Sequence, residues 1–160
     1  MKQLIHQRGF QTVFRVRYYE TDAMGIVHHS NYLRWFELGR TEYLRAVGLP
    51  YRSLEEQGIA SPVTGIRCRY HKPAKYDDEI VLQVSVKAYK NTRLTMGYEI
   101  YCNDHLICSG ESDHAFILDG RPIAPRRSDR RTSVREASAA RVRHARASTR
   151  PRKGLPAWPF

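Results

Sequence analysis

Only one stretch of this chain has the pattern of a long helix, and it constrains everything around it. Between Val16 and Pro50, in VRYYETDAMGIVHHSNYLRWFELGRTEYLRAVGLP, an alternating segment runs into a polar turn carrying an acid, a glycine and two histidines, then directly into an amphipathic helix. From Tyr32 onward, Leu33, Phe36, Tyr43, Leu44 and Val47 recur at helical spacing, and Trp35, Gly39 and Ala46 widen the stripe. An apolar arc that broad asks to be covered on more than one side. Asn31 or Ser30 is placed to cap the first turn by accepting an orphan backbone N–H, and Gly48 followed by Pro50 stops the far end. Eighteen or so helical residues span roughly 27 Å, about the width of a small domain.

What surrounds this helix has the period of strands. Gln11 to Tyr19 alternate, with Thr12, Phe14, Val16 and Tyr18 on one face and Val13, Arg15, Arg17 and Tyr19 on the other. After the helix, YRSLEEQG predicts a short connecting helix or turn anchored by Leu54, and Ala60 to His71 predicts a strand entered through Ser61 and Pro62 and ended by the KPAKYDD turn. Ile80, Leu82, Val84, Val86 and Ala88 give the cleanest period-two run, repeated by Leu94, Met96, Tyr98, Ile100 and Cys102 after a turn at Lys90-Asn91-Thr92. A last strand is expected from His105 to Leu118, weakened or bent at Gly110, before DGRP closes the ordered region. Short turns imply antiparallel neighbours, so the expected fold is α+β, a sheet wrapped around one helix. Val81, Tyr89 and Ile117 are expected on the sheet's second face, which one helix cannot also cover, so a partner subunit is expected there.

Composition narrows the class. The chain of 160 residues, 41% apolar, can close one core but has no room for two ordinary domains. Cys68, Cys102 and Cys108 form no CxxC or zinc pattern, the N-terminus has no apolar signal-like segment, and no window approaches 18 consecutive apolar residues. The expectation is a reduced, cytoplasmic protein with no membrane span and no cofactor. Charge is uneven. From Arg126 to the end, ten arginines and one lysine face two acids, so this stretch carries +9 of the chain's +11. Residues 1–125 are therefore expected to be the folded domain, and 126–160 a basic, disordered or weakly ordered tail, or an out-of-frame extension. Such an arm can attract the phosphates of nucleic acid or anionic lipid, but the rest of the chain supplies no reading surface, so neither is expected as its main partner.

The segment VRYYETDAMGIVHHSNYLRWFELGRTEYLR, with the later YHKPAKYDDEI, resembles the hot-dog-fold acyl-CoA thioesterases of the 4-hydroxybenzoyl-CoA thioesterase type, especially the bacterial branch associated with the Tol-Pal gene cluster. The resemblance covers about residues 12 to 125. It implies a five- or six-stranded antiparallel sheet around the long helix, a homodimer with sites at the subunit interface, and often a homotetramer. The family's catalytic carboxylate falls on Asp22 and its turn glycine on Gly25, while His29 matches a histidine common in that branch. His28 stands where those relatives often have tyrosine, and Met24 where they have a small residue. These departures bear on the acyl group accepted rather than on the reaction.

The residues themselves support that chemistry. Thioester hydrolysis needs a negative group to attack the carbonyl or to deprotonate water, and donors aimed at the developing oxyanion. Asp22 precedes a glycine turn leading into a helix whose first turn has unpaired N–H groups and the positive end of the dipole. It can serve as general base or as nucleophile through an anhydride, and the sequence does not choose between them. The plainer reading is a turn or capping acid. His28 and His29 can orient Asp22, bond the carbonyl, or cap the helix. Glu37 can support the site from a second layer or sit on a solvated face; Tyr32 can line the acyl pocket or belong to the core; Ser61 and Thr64 can approach the thioester across the interface. Two histidines and one aspartate make no metal site. The expected activity is hydrolysis of acyl-CoA thioesters with short-chain or aromatic acyl groups. An acyl carrier protein as thioester carrier, and a non-catalytic CoA-ligand module, are the alternatives; a hot-dog dehydratase would need a different histidine and acid arrangement.

Overall fold

A computed structural model describes residues 9–90 and 92–123. All lie within one compact unit, Met1–Arg126. The basic stretch that begins at Arg126, with every expectation attached to it, lies outside the described residues.

In chain order the elements are β1 (Phe10–Arg15), a 3₁₀ turn (Tyr18–Glu20), α1 (His29–Ala46), α2 (Tyr51–Glu56), β2 (Ile59–Ala60), β3 (Val63–Tyr70), β4 (Glu79–Lys90), β5 (Arg93–Cys102), β6 (His105–Ala115), β7 (Ile117–Leu118) and β8 (Arg121–Pro122). Five strands form an antiparallel sheet in the order β1-β4-β5-β6-β3, and β2, β7 and β8 form a small second sheet. The fold is the expected α+β hot dog, one long helix against a five-stranded antiparallel sheet. Ile80, Leu82 and Val84 of β4 and Met96, Tyr98 and Ile100 of β5 are buried against Tyr32, Trp35 and Phe36 of α1, which is the period-two face meeting the helical stripe. Phe36 lies flat on Tyr98, with ring centroids 4.3 Å apart and planes 9° from parallel. Gly110 makes this approach possible: a Cβ there would sit 2.6 Å from Phe36 Cε2 and Cζ and would also collide with the Arg67 carbonyl.

Five expectations change. The first strand stops at Arg15 rather than Tyr19, because the Glu20 carboxylate captures the Arg17 N–H at 2.7 Å and turns the chain. Tyr18 consequently points outward, with 78% of its surface exposed. Neither Asn31 nor Ser30 caps α1. The helix starts at His29, and His28 accepts from the Ser30 N–H, which frees the Asn31 side chain to donate to the Glu20 carbonyl at 2.7 Å. The far end behaves as expected, with Gly48 at φ 80° and the Leu49 N–H returning to Leu44 O at 2.9 Å.

The segment Ala60–His71 is broken at Ser61-Pro62, and His105–Leu118 at Phe116, where the chain passes from the large sheet to the small one. Of the residues expected on the second face, only Val81 is there. A bulge between Val86 and Ala88 re-registers β4 so that Tyr89 opposes Leu94 and packs on the core, and Ile117 belongs to the small sheet. Val13 and Tyr101 flank Val81 on that outer face, and Arg67 bridges Glu111 and Asp113 further along it. Exposed apolar side chains also line edge strand β3, at Val63, Ile66 and Tyr70.

Candidate active site

The loop between the 3₁₀ turn and α1 is tied at its base and along its length. The His28 N–H donates to the Glu20 carbonyl at 2.9 Å, Thr21 bridges Val27, and the Asp22 N–H donates to Ile26 O at 2.9 Å. At its tip the Gly25 N–H returns to Asp22 O at 2.9 Å, and Gly25 sits at φ 72°, a conformation that costs a side-chain-bearing residue far more. The Asp22 carboxylate accepts the Met24 N–H through Oδ1 at 2.8 Å, so the turn-acid role is real; Oδ2 accepts no hydrogen bond among the described residues. The KPAK turn holds the loop from outside, where the Val27 N–H donates to Ala74 O at 2.8 Å.

At the start of α1, His28 Nδ1 meets Ser30 Oγ at 2.8 Å, and the His28 and His29 rings lie 4.1 Å apart. Both imidazoles are exposed. The Asn31 N–H turns back to His28 O at 2.9 Å, whereas the His29 N–H, first in the helix, is taken by no described residue. Tyr70, at the end of β3, donates to the His29 carbonyl at 3.1 Å and stands edge-on to Tyr32 at 5.2 Å. Tyr32 is buried, and burial pushes its hydroxyl pKa up to about 12.

A second group of side chains lies further along α1. A cleft of about 330 Å³ is walled by Leu33, Phe36, Val63 and Ile66, with Glu37, Tyr98, Ser112 and His114 as its polar lining. Tyr98 Oη, Ser112 Oγ and His114 Nε2 form a buried chain with steps of 2.7 and 2.6 Å. Burial pushes the Tyr98 hydroxyl up to about 12, while desolvation, then the nearby Arg40 charge, lowers His114. Glu37 grips the buried Arg40 guanidinium through two bonds, at 2.6 and 2.9 Å. Ser61 is buried with its Oγ unpaired among the described residues, and Thr64 Oγ1 donates to Asp113 O at 3.1 Å.

One chain therefore brings together Asp22, Gly25, His28, His29 and Tyr32 beside Tyr70, and separates them from Ser61 and Thr64 at the opposite end of β3. The six residue steps from Thr64 to Tyr70 span about 20 Å. Glu37 lies eight residues beyond His29, about 12 Å along the helix. The sequence did not point to Glu20, Arg40, Tyr70 or the Tyr98–Ser112–His114 chain. Only Glu20 carried a local signal, an acid two residues before the motif's own. Among the described residues no cluster of His, Cys, Asp and Glu is suited to a metal, and no helix is long and apolar enough to cross a membrane.

Comparison with known proteins matches this chain, over residues 16–146, to the family described as the thioesterase-like superfamily. An acyl-CoA thioesterase, YbgC, of Haemophilus influenzae is 39% identical over 119 residues, covering 72% of this chain and 88% of its own. A putative esterase of Aquifex aeolicus is 34% identical, over 69% of this chain and 86% of its own. Among solved structures, the DHNA-CoA thioesterase of Staphylococcus aureus superposes with a TM-score of 0.69 at 34% identity, covering 71% of this chain and 78% of that one. A fold built around an acid-bearing turn at the mouth of its one long helix, a family match over most of the chain, and relatives at this identity agree: the chain belongs to the thioesterase-like superfamily and is a hot-dog-fold thioesterase.

Proposed function

We propose that this protein hydrolyses acyl-CoA thioesters carrying short-chain or aromatic acyl groups, with Asp22 as the catalytic carboxylate. The observation that carries the proposal is that one tightly bonded loop bears both a carboxylate oxygen, Asp22 Oδ2, and a helix N-terminal N–H, that of His29, that no described residue takes. Water adds to the thioester carbonyl as Asp22 takes its proton, or Asp22 itself attacks and water then opens the mixed anhydride. In both routes negative charge develops on the carbonyl oxygen, where the His29 N–H and the helix dipole stabilise it, and collapse expels the CoA thiolate, which leaves as the thiol. His29 and His28, exposed beside that N–H, are placed to hydrogen-bond substrate. The names of the Haemophilus and Staphylococcus relatives support CoA as the carrier; an acyl carrier protein is the alternative. The cleft along Phe36 and Ile66 suits a short or flat acyl group, ending on the hydroxyl and imidazole of Ser112 and His114.

We further propose a homodimer as the working unit. Among the described residues strand β3 is a sheet edge, and it carries the exposed apolar side chains Val63, Ile66 and Tyr70. Antiparallel pairing of β3 with β3 of a second copy would set the Thr64 and Ser61 end of one chain against the Tyr70, His29 and Asp22 end of the other. The two separated groups of side chains would then meet twice, once at each end of the two-fold interface. A tetramer of two such dimers is compatible with this.

The decisive experiment is Asp22→Asn, which keeps size and the bond to the Met24 N–H while removing the charge. On the best substrate of an acyl-CoA and acyl carrier protein panel, kcat should fall at least about 100-fold with the melt little changed. Ser112 beside His114 also has the look of a nucleophile and its base; Ser112→Ala should alter KM and leave kcat within a few-fold. Near-parental turnover by folded Asp22→Asn, or loss of turnover in Ser112→Ala alone, would refute the assignment. Sedimentation equilibrium under assay conditions should show no dominant monomer.

A further inference from the structure

The tip of the loop that carries Asp22 is exposed at Ala23, Met24 and Gly25, while Val27 near its end is buried in the core. At its base the loop is fastened to α1 through Glu20, only 4% exposed. Five donors converge on it. Its carboxylate accepts the Arg17 N–H at 2.7 Å, Arg17 Nη1 at 3.3 Å and the indole N–H of Trp35 at 2.9 Å. Its carbonyl accepts the Asn31 side chain at 2.7 Å and the His28 N–H at 2.9 Å. Arg17 lies before the loop, His28 closes it, and Asn31 and Trp35 lie on the first two turns of the helix. One side chain and one carbonyl thus fasten the loop's base to the element whose N-terminal N–H is to receive the oxyanion. A buried carboxylate is costly unless its charge is met by donors of this kind. Ordinary packing of the turn would need only an apolar side chain here.

We propose that Glu20 is the positioning residue of the site, holding Asp22 in register with the His29 N–H. This rests on the reading of Asp22 as the catalytic carboxylate. Glu20 does not touch the reacting atoms; it sets the distance between two groups that must act on one carbonyl. A shift of about 1 Å between such groups can cost on the order of 100-fold in rate while leaving ground-state binding alone. Glu20→Gln puts an amide N–H₂ where one carboxylate oxygen accepted, so it turns a donor of the clamp away.

The test is a two-by-two cycle of Glu20→Gln with Asp22→Asn, measured as kcat and KM on the best acyl-CoA and normalised to folded enzyme. Glu20→Gln alone should lower kcat about 10- to 100-fold with KM within about threefold. Added to Asp22→Asn, it should change the residual rate less than about twofold, because a clamp that acts through Asp22 has nothing left to position. Equal factors in both backgrounds would show a general structural role and overturn the proposal, as would an unchanged kcat in Glu20→Gln while Asp22→Asn is inactive. An active Asp22→Asn would overturn the assignment of Asp22 itself, a result readable before Glu20 is touched. Should Glu20→Gln fail to fold, Trp35→Phe removes one donor from the carboxylate and keeps the charge. It should lower kcat several-fold in the parent and leave the Asp22→Asn rate unchanged; a loss of equal size in both backgrounds would again overturn the proposal.

Discussion

Replacing Gly110 by alanine tests how closely α1 is seated on the sheet. The added Cβ would stand 2.6 Å from two carbons of the Phe36 ring, against an ordinary carbon contact of about 3.5–4.0 Å, and would also press on the Arg67 carbonyl oxygen. Neither neighbour can step aside cheaply. Phe36 is stacked on Tyr98, and Arg67 belongs to a strand paired with β6 on both sides of this point. Relief therefore requires α1 to lift by about 1 Å, or β3 to part from β6. Overpacking of a well-filled core costs about 1–3 kcal/mol, and a rigid backbone on one side puts this case near the top. Alanine's advantage over glycine in a strand returns about 0.5–1 kcal/mol, which leaves a net loss of about 2 kcal/mol. For a chain of this size that is a fall in Tm of roughly 4–8 °C. Urea melts at one fixed protein concentration should show a lower midpoint with the slope unchanged. Gly65→Ala is the control, since its Cβ would meet only Asp113 Oδ2 at ordinary distance, 3.4 Å, and it should stay within about 0.5 kcal/mol of parent. A Gly110→Ala protein as stable as parent, or a Gly65→Ala protein equally damaged, would refute the packing argument.

Three further outcomes follow from the same contacts. His114, held below its usual pKa chiefly by burial, resists protonation in the fold but not in the unfolded chain; stability should decline as pH falls below about 6.5, and His114→Gln should flatten that decline in melts between pH 7 and 5. Glu37→Ala leaves the buried Arg40 without its carboxylate and should cost about 1–3 kcal/mol, discounted because water reaches the half-exposed Glu37 site, whereas pairing the change with Arg40→Met should recover most of it in a denaturant melt. Removal of residues 126–160 should leave kcat nearly unchanged and raise KM for acyl-CoA at low ionic strength only, since the +9 of that stretch attracts CoA phosphates through a field that salt screens. Loss of kcat on a short thioester would show that the stretch completes the site.

The helix and most of the β4–β5–β6 meander were legible because burial on one face writes its period directly into the sequence, up to the bulge that turns Tyr89 to the core. Where a side chain competes, the period misleads. The alternation from Gln11 continues through Tyr19 on paper, but the Glu20 carboxylate takes the Arg17 N–H and bends the chain after β1. Residues His105 to Leu118 likewise read as one long strand, yet the Ala115 N–H goes to Pro62 O and the Phe116 N–H to Thr92 O, partners some 50 and 24 residues away that no local pattern encodes.

The candidate site divides along the same line. Asp22, Gly25 and the two histidines are neighbours in sequence, and the turn they make is decided within seven residues, so a motif can carry them. Glu20 and Tyr70 fall inside the quoted motifs and His114 outside them, but all three matter through what they touch across the fold, which no spacing announces. Ser61 and Thr64 mark a third level. Each was singled out for its place on the strand after the helix, and within one chain Thr64 lies about 20 Å along that strand from Tyr70, at the end away from α1's first turn. Their part in the chemistry depends on an edge that a second copy must cover, so it turns on the assembly: a monomer that retained full turnover would remove both from the site while leaving the Asp22 loop, and the clamp beneath it, unaffected.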